Sequence, residues 1–235
     1  MIFWCNFALK MKQKLLISLI FSLISLSMSA QVGEYRSEWA FGASAGAVFN
    51  RVDFSPSVAQ KYIAGETAGF TVRYTCEKYF SVVCAFQAEL NYARMGWREN
   101  VLDADKNPYP NQYSRTMYYL QLPLLARLGL GKERNGCMGY LVAGPQIGVM
   151  LGDKSHKPDG SPDGEQQTLA VQRKFDYGIT AGLGLEISTK KAGHFLIEGR
   201  YYFGLGSFFD DSKKDPFARS ANGSIVAKVT YLWGK

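Results

Sequence analysis

Little in this sequence can hold a metal ion or run acid–base chemistry. It has two histidines, His156 and His194, and four cysteines, Cys5, Cys76, Cys84 and Cys137, with neither CxxC nor HExxH spacing. No glycine-rich loop leads into a helix, so the backbone cradle of phosphate-binding enzymes is missing. Nowhere do apolar residues recur at i, i+3 and i+4, which leaves no amphipathic helix to build on. The longest apolar run, Leu15 to Leu26, is about 12 residues where a spanning helix needs about 20. Charge of one sign is scarce too: a net +7, evenly spread, is too mild to argue for nucleic acid. Catalytic, cofactor-binding and metal-ligating residues are therefore all expected to be none.

The N-terminus carries an export pattern. Lys10, Lys12 and Lys14 precede the apolar run, and Ser27-Met28-Ser29-Ala30-Gln31 offers a small-residue cleavage site. Residues 1–30 are expected to be a signal peptide, with Met11 as an alternative start, and residues 31–235 the mature domain. Removing three lysines and no acid takes the net charge from +7 to +4. Cys5 leaves with the signal, and the odd number of cysteines left is no disulfide framework. Cys76 and Cys84 flank one turn, where they either pair or stay free.

What fills the rest is alternation with a period of two, the signature of a strand with a different environment on each face. In Tyr118-Tyr119-Leu120-Gln121-Leu122-Pro123-Leu124-Leu125-Ala126-Arg127-Leu128-Gly129-Leu130, one register is wholly apolar and the other carries Gln121 and Arg127. Similar stretches are expected at about 39–49, 68–76, 80–92, 138–151, 176–187, 195–205 and 225–233. Turns are expected at 77–79, 131–136 and 189–193, and long loops at about 50–67, 98–116, 152–174 and 208–222. Eight amphipathic strands joined alternately by long and short connections predict an all-β fold, an eight-stranded antiparallel up-and-down transmembrane β-barrel.

Three features turn the apolar register toward lipid rather than a core. Aromatic residues gather at both strand ends: Trp39, Tyr74, Phe80, Tyr140, Phe195, Tyr231 and Trp233 by the short turns, and Phe49, Phe70, Tyr92, Tyr118, Tyr177, Tyr201 and Phe203 by the long loops. The apolar registers are long enough to span a bilayer at a tilt. The polar register is interspersed with glycine, as an eight-stranded interior too narrow for bulky side chains everywhere requires. That register carries Arg73, Gln87, Glu89, Gln121, Arg127, Asp176, Glu186, Glu198, Arg200 and Lys228, expected to form a structural network of paired charges in the lumen. Pro123, in mid-strand, predicts a bulge at Leu122-Pro123 or a locally unpaired carbonyl on the neighbouring strand.

Several segments together resemble the PorT family of Bacteroidetes outer-membrane barrels. They are Phe86-Gln87-Ala88-Glu89-Leu90-Asn91-Tyr92 with Gly96, Tyr119-Leu120-Gln121-Leu122-Pro123-Leu124-Leu125, Gly144-Pro145-Gln146-Ile147-Gly148, Gly182-Leu183-Gly184-Leu185-Glu186 and Arg200-Tyr201-Tyr202-Phe203-Gly204-Leu205. The resemblance implies an eight-stranded barrel in the outer membrane. The C-terminus departs from the aromatic ending of many bacterial barrels, closing on Trp233-Gly234-Lys235. The expected role is a non-enzymatic envelope, interaction or secretion-associated protein, monomeric, in contact with outer-membrane lipid, with both termini periplasmic. Loops 98–116 and 152–174 are candidates for protein or glycan contact. Two alternatives stand beside it: an outer-membrane lipid- or peptide-modifying hydrolase using His156 with Ser155 and Asp153, and a soluble periplasmic barrel with its leucines around an apolar ligand.

Overall fold

Alternating side chains commit each segment to a strand, and the strands form one ring. The computed structural model describes residues 34–103, 105–133, 135–189, 192–209 and 217–234; the expected signal peptide and Cys5 lie outside them. Among the described residues, eight long strands and one short one run antiparallel: β1 (Glu34–Ser55), β2 (Gln60–Lys61), β3 (Ile63–Tyr79), β4 (Val82–Glu99), β5 (Ser114–Gly131), β6 (Gly136–His156), β7 (Phe175–Thr189), β8 (Gly193–Gly204) and β9 (Arg219–Gly234). The two-residue β2 adds to β4, and a single helical turn, α1 (Glu165–Thr168), sits between β6 and β7. The long strands pair in sequence around the sheet, and β1 closes the ring by pairing with β9 from Ala40↔Gly234 to Ser55↔Arg219. Closing the sheet on itself leaves no open edge to lipid, which a barrel in a membrane requires.

The faces divide as the alternation predicts. On β5, Leu120, Ala126, Leu128 and Leu130 are lipid-side positions, with Leu120, Leu128 and Leu130 exposed, whereas Gln121, Leu125 and Arg127 are buried. The outer wall continues through Leu141, Leu183, Leu185, Ile197 and Val229. The leucines face out, so a soluble barrel lined by them around a ligand is overturned.

Several local expectations change. The first hairpin turns at Phe80-Ser81, not at 77–79, because a register shift at Cys76 consumes one residue of β3. Phe80 takes the turn with a φ of 51°, unusual for a bulky side chain. Strands also run further than expected toward the long-loop end: β1 has 22 residues and β6 has 21, where about ten suffice to cross a bilayer. Pro123 makes no bulge. The β5 register is unchanged across it on both sides, but pairing to β4 lapses between Ala88↔Leu124 and Asn91↔Gln121. A second lapse, between β5 and β6, spans Leu124-Leu125 opposite Gly144-Pro145. Each proline thus sits at an interruption in one ladder, which suits a residue with no N–H to give.

Candidate functional site

Among the described residues, polar side chains converge most densely in the interior, which is built in tiers. Inward positions alternate with lipid-facing ones, so facing strands throw their polar residues at one another across a narrow lumen. All ten predicted network residues are buried, Arg73 at 6%, Glu89 at 2% and Arg127 at 2% relative exposure among them.

Nearest the short turns, Glu186 on β7 is the hub. Arg73 Nη1 donates to its carboxylate at 2.8 Å, Arg127 pairs with the same oxygen, and His194 Nδ1 lies 2.6 Å from the other. An apolar cluster adjoins it, with Leu125, Leu196 and Leu232 wholly buried beside Val142 and Ala40, Leu196 lying across the ladder from Glu186 itself. Glu89 on β4 is the second hub. Arg200 binds it through two nitrogens at 2.9 and 2.7 Å, Lys228 Nζ at 2.6 Å, and the Gln87 and Asn91 amides at 2.7 and 2.9 Å. Arg200 also bridges to Glu198 at 2.5 Å. Tyr140 joins the two hubs: its hydroxyl donates to Glu198 at 3.0 Å, and the Arg127 guanidinium lies 3.6 Å from its ring centre. Glycines make the room. A Cβ on Gly184 would strike the Tyr140 ring, and one on Gly182 would lie 2.7 Å from Arg200 Cγ. Tyr140, expected in the lipid-facing aromatic belt, is thus a lumen residue at 4% exposure.

Within the predicted network, four carboxylates (Glu89, Asp176, Glu186, Glu198) share the interior with four cations (Arg73, Arg127, Arg200, Lys228), and Glu99 and Arg115 are buried as well. Near-neutral pairing is what permits charge in so narrow an interior, since an isolated buried ion would cost several kcal/mol or more. Asp176 has a neutral partner: the Asn222 amide donates to it at 3.1 Å. Around it lies a neutral tier in which Thr180 donates to Gln146 at 2.8 Å, Asn50 to the Gly96 carbonyl at 2.8 Å and Gln121 to the Met95 sulfur at 3.4 Å.

Toward the long loops the interior becomes apolar. Val48, Val52, Phe54, Met95, Trp97, Met117 and Met150 point inward and meet Tyr113, Phe208, Phe209 and Phe217 from the connections. Phe54 packs edge-on against Trp97 at 5.4 Å, Trp97 stacks with Phe208 at 5.8 Å, and Phe208 meets Phe209 at 4.8 Å. The stretch expected as a loop from 208 to 222 therefore enters the barrel mouth and joins β9, rather than standing wholly in solvent; its residues 210–216 lie outside the described residues. On the outer face of the same strand ends the side chains are polar: Arg51, Asp53, Glu66, Arg94 and Arg98. Arg94 pairs with Glu66 at 3.0 Å and Arg219 with Asp53 at 2.8 Å.

The two loops singled out for partner contact are partly strand and partly lid. Residues 98–99 and 114–116 belong to β4 and β5, and residues 152–156 to β6. The remainder, 157–174, folds over the mouth, held by two buried polar groups. The Glu99 carboxylate accepts from Gln166 Nε2 at 2.7 Å and Gln167 Nε2 at 2.9 Å. Arg115 grips Asp153 at 2.7 Å and the Leu169 carbonyl at 2.6 Å. Burial pushes the Tyr113 phenol up, while the Lys157 hydrogen bond holds the exposed Asp163 carboxyl below its ordinary range. Asp153, offered to a hydrolase triad, is thus engaged by Arg115, and His156 is exposed at the end of β6. His194 is tied to Glu186 at the opposite end. Cys76, Cys84 and Cys137 are free thiols.

Residues 29–210 match the family model described as outer membrane protein beta-barrel domain. The chain belongs to this family. It is an outer-membrane β-barrel protein, and the apolar wall is its lipid face. Among solved structures it is similar to Neisserial surface protein A (12% identity, TM-score 0.39, covering 83% of this chain and 99% of that one). It is also similar to OprG of Pseudomonas aeruginosa (7% identity, TM-score 0.43, 86% and 98%) and to Ail of Yersinia pestis (13% identity, TM-score 0.35, 83% and 99%). No curated protein matches it.

Proposed function

We propose that this outer-membrane barrel is a closed, non-enzymatic protein whose working surface is its lidded long-loop end, turned to the cell exterior. The observation that carries this is a lumen filled in tiers. Among the described residues, two small spaces lie between the lumen side chains, about 30 Å³ beside Arg73, Arg127 and Glu186 and about 20 Å³ beside Gln121, Arg200 and Lys228. Each is room for about one or two waters, not for a solute. The network of Arg73, Gln87, Glu89, Gln121, Arg127, Asp176, Glu186, Glu198, Arg200 and Lys228 serves as structural filling that fixes strand register. Residues 1–30 serve as the export signal and both termini lie in the periplasm. The protein works as a monomer and meets its partner through residues 100–113 and 157–174.

Within the family we place the chain with the PorT-type barrels of Bacteroidetes, in an envelope or secretion-associated role. Support comes from the shared segments, whose polar members Glu89, Gln121, Gln146, Glu186 and Arg200 all point into the lumen. The test is conductance in a planar bilayer together with swelling of protein-loaded liposomes. Neither current steps nor sugar uptake is expected; stable single-channel steps would overturn the closed-barrel reading.

A further inference from the structure

On the outer wall at the long-loop end, away from the lumen, a groove opens between β7 and the chain leaving β8. Its volume is about 350 Å³, and it is lined by Arg173, Lys174, Phe175, Tyr177, Leu205, Gly206 and Ser207. Backbone geometry makes it. β8 ends at Gly204, and the Leu205 and Gly206 amides both donate to the Tyr177 carbonyl, at 2.8 and 3.2 Å. The chain then dives inward, so that Phe208 is only 3% exposed. Wall and strand part company at that point.

The floor is apolar and outward-facing, with Phe175 and Tyr177 stacked at 6.2 Å and Leu205 beside them. The rim is cationic. Lys174 is exposed and has no acidic partner among the described residues, and it immediately precedes the aromatic pair. Arg219 adds charge nearby, lying 5.1 Å from the ring centre of the lipid-facing Phe203 while bound to Asp53. A lipid-facing apolar floor directly under a solvated ammonium is complementary to an amphiphile with acyl chains below and a negative group above. Basic side chains at this depth attract anionic headgroups, and a lysine stem can lie along apolar surface with its charge in water.

We propose that this groove seats a phosphate-bearing lipid of the outer leaflet, its acyl chains against Phe175, Tyr177 and Leu205 and its phosphate on Lys174. The inference rests on the reading that the long loops face outward. Its test uses the full protein in detergent, with lipid adducts counted by native mass spectrometry. The probes are bis-phosphorylated lipid A and the same lipid dephosphorylated. The wild type is expected to retain the phosphorylated probe about fivefold more than the dephosphorylated one, and Lys174→Glu to abolish that preference. Lys174→Gln removes the charge with less disturbance and serves if the first variant does not fold. Lys132→Glu, exposed at the opposite, short-turn end, is expected to leave retention unchanged. Equal retention of both probes, or an unchanged preference in Lys174→Gln, overturns the proposal. Displacement of the lipid by inorganic phosphate alone overturns the lipid as the source. Heat-modifiability on a gel is read in parallel, so a failed barrel is distinguished from a failed lipid site.

Discussion

The same strands are built inside-out at one end and right-side-out at the other. Around Leu128, Leu183 and Val229 the apolar side chains point out and Arg127, Glu186 and Lys228 point in. Some residues further along, at Arg51, Glu66 and Arg94, the outward side chains are polar, and Val52, Phe54, Met95 and Trp97 fill the interior. The period of two never changes; only the solvent does. Where lipid surrounds the barrel, the hydrophobic effect gives no reason to hide leucine, and close packing plus paired charge hold the interior. Where water surrounds it, burial of Trp97 and four phenylalanines works as in any soluble core.

Breaking the charge tier is expected to do most harm. Glu89→Ala strands Arg200 and Lys228 without their shared anion and should cost about 3–5 kcal/mol, read as a lower urea midpoint for loss of the heat-modifiable band. Trp97→Ala should cost about 3 kcal/mol, expressed locally: protease should cut within 157–174 while the barrel band persists. Leu183→Lys, on the lipid face, should cost about 2 kcal/mol by equilibrium unfolding in lipid vesicles. Gln166→Ala removes one of two donors to buried Glu99 and should cost about 1 kcal/mol, seen as faster amide exchange in the lid. Arg94→Leu, outward in the water zone, should change stability by about 0.5 kcal/mol or less. A large effect of Arg94→Leu with none of Leu183→Lys would reverse the comparison.

The sequence makes the embedded zone legible and hides the cap. Alternation around Leu120 and Leu128 reveals strand, face and lipid at once. The same alternation runs on through Val52-Asp53-Phe54 and Ala93-Arg94-Met95-Gly96-Trp97, but there the apolar letters move to the inward register, and that switch is the missed signal. The lid is less accessible still. Nothing local says that Phe208 and Phe209 turn inward, because their partners Phe54 and Trp97 are far away in sequence. Tyr140 hides for a related reason: an aromatic near a strand end suits an interface belt, and only Gly184 across the ladder shows that the lumen has space for it. The proline interruptions need both strands, since Pro145 lies beside the gap as Pro123 does. That the charged residues face inward is legible by register alone, though not their division into two hubs around Glu186 and Glu89.

The change of solvent along β1 offers the most direct test. Nitroxide labels at the outward positions Ala45, Ala47, Phe49, Arg51 and Asp53, with the barrel in vesicles, report oxygen against a water-soluble nickel complex. The account predicts oxygen access through Phe49 and nickel access from Arg51 onward. Labels at Arg51 and Asp53 as lipid-exposed as the one at Ala45 would contradict it.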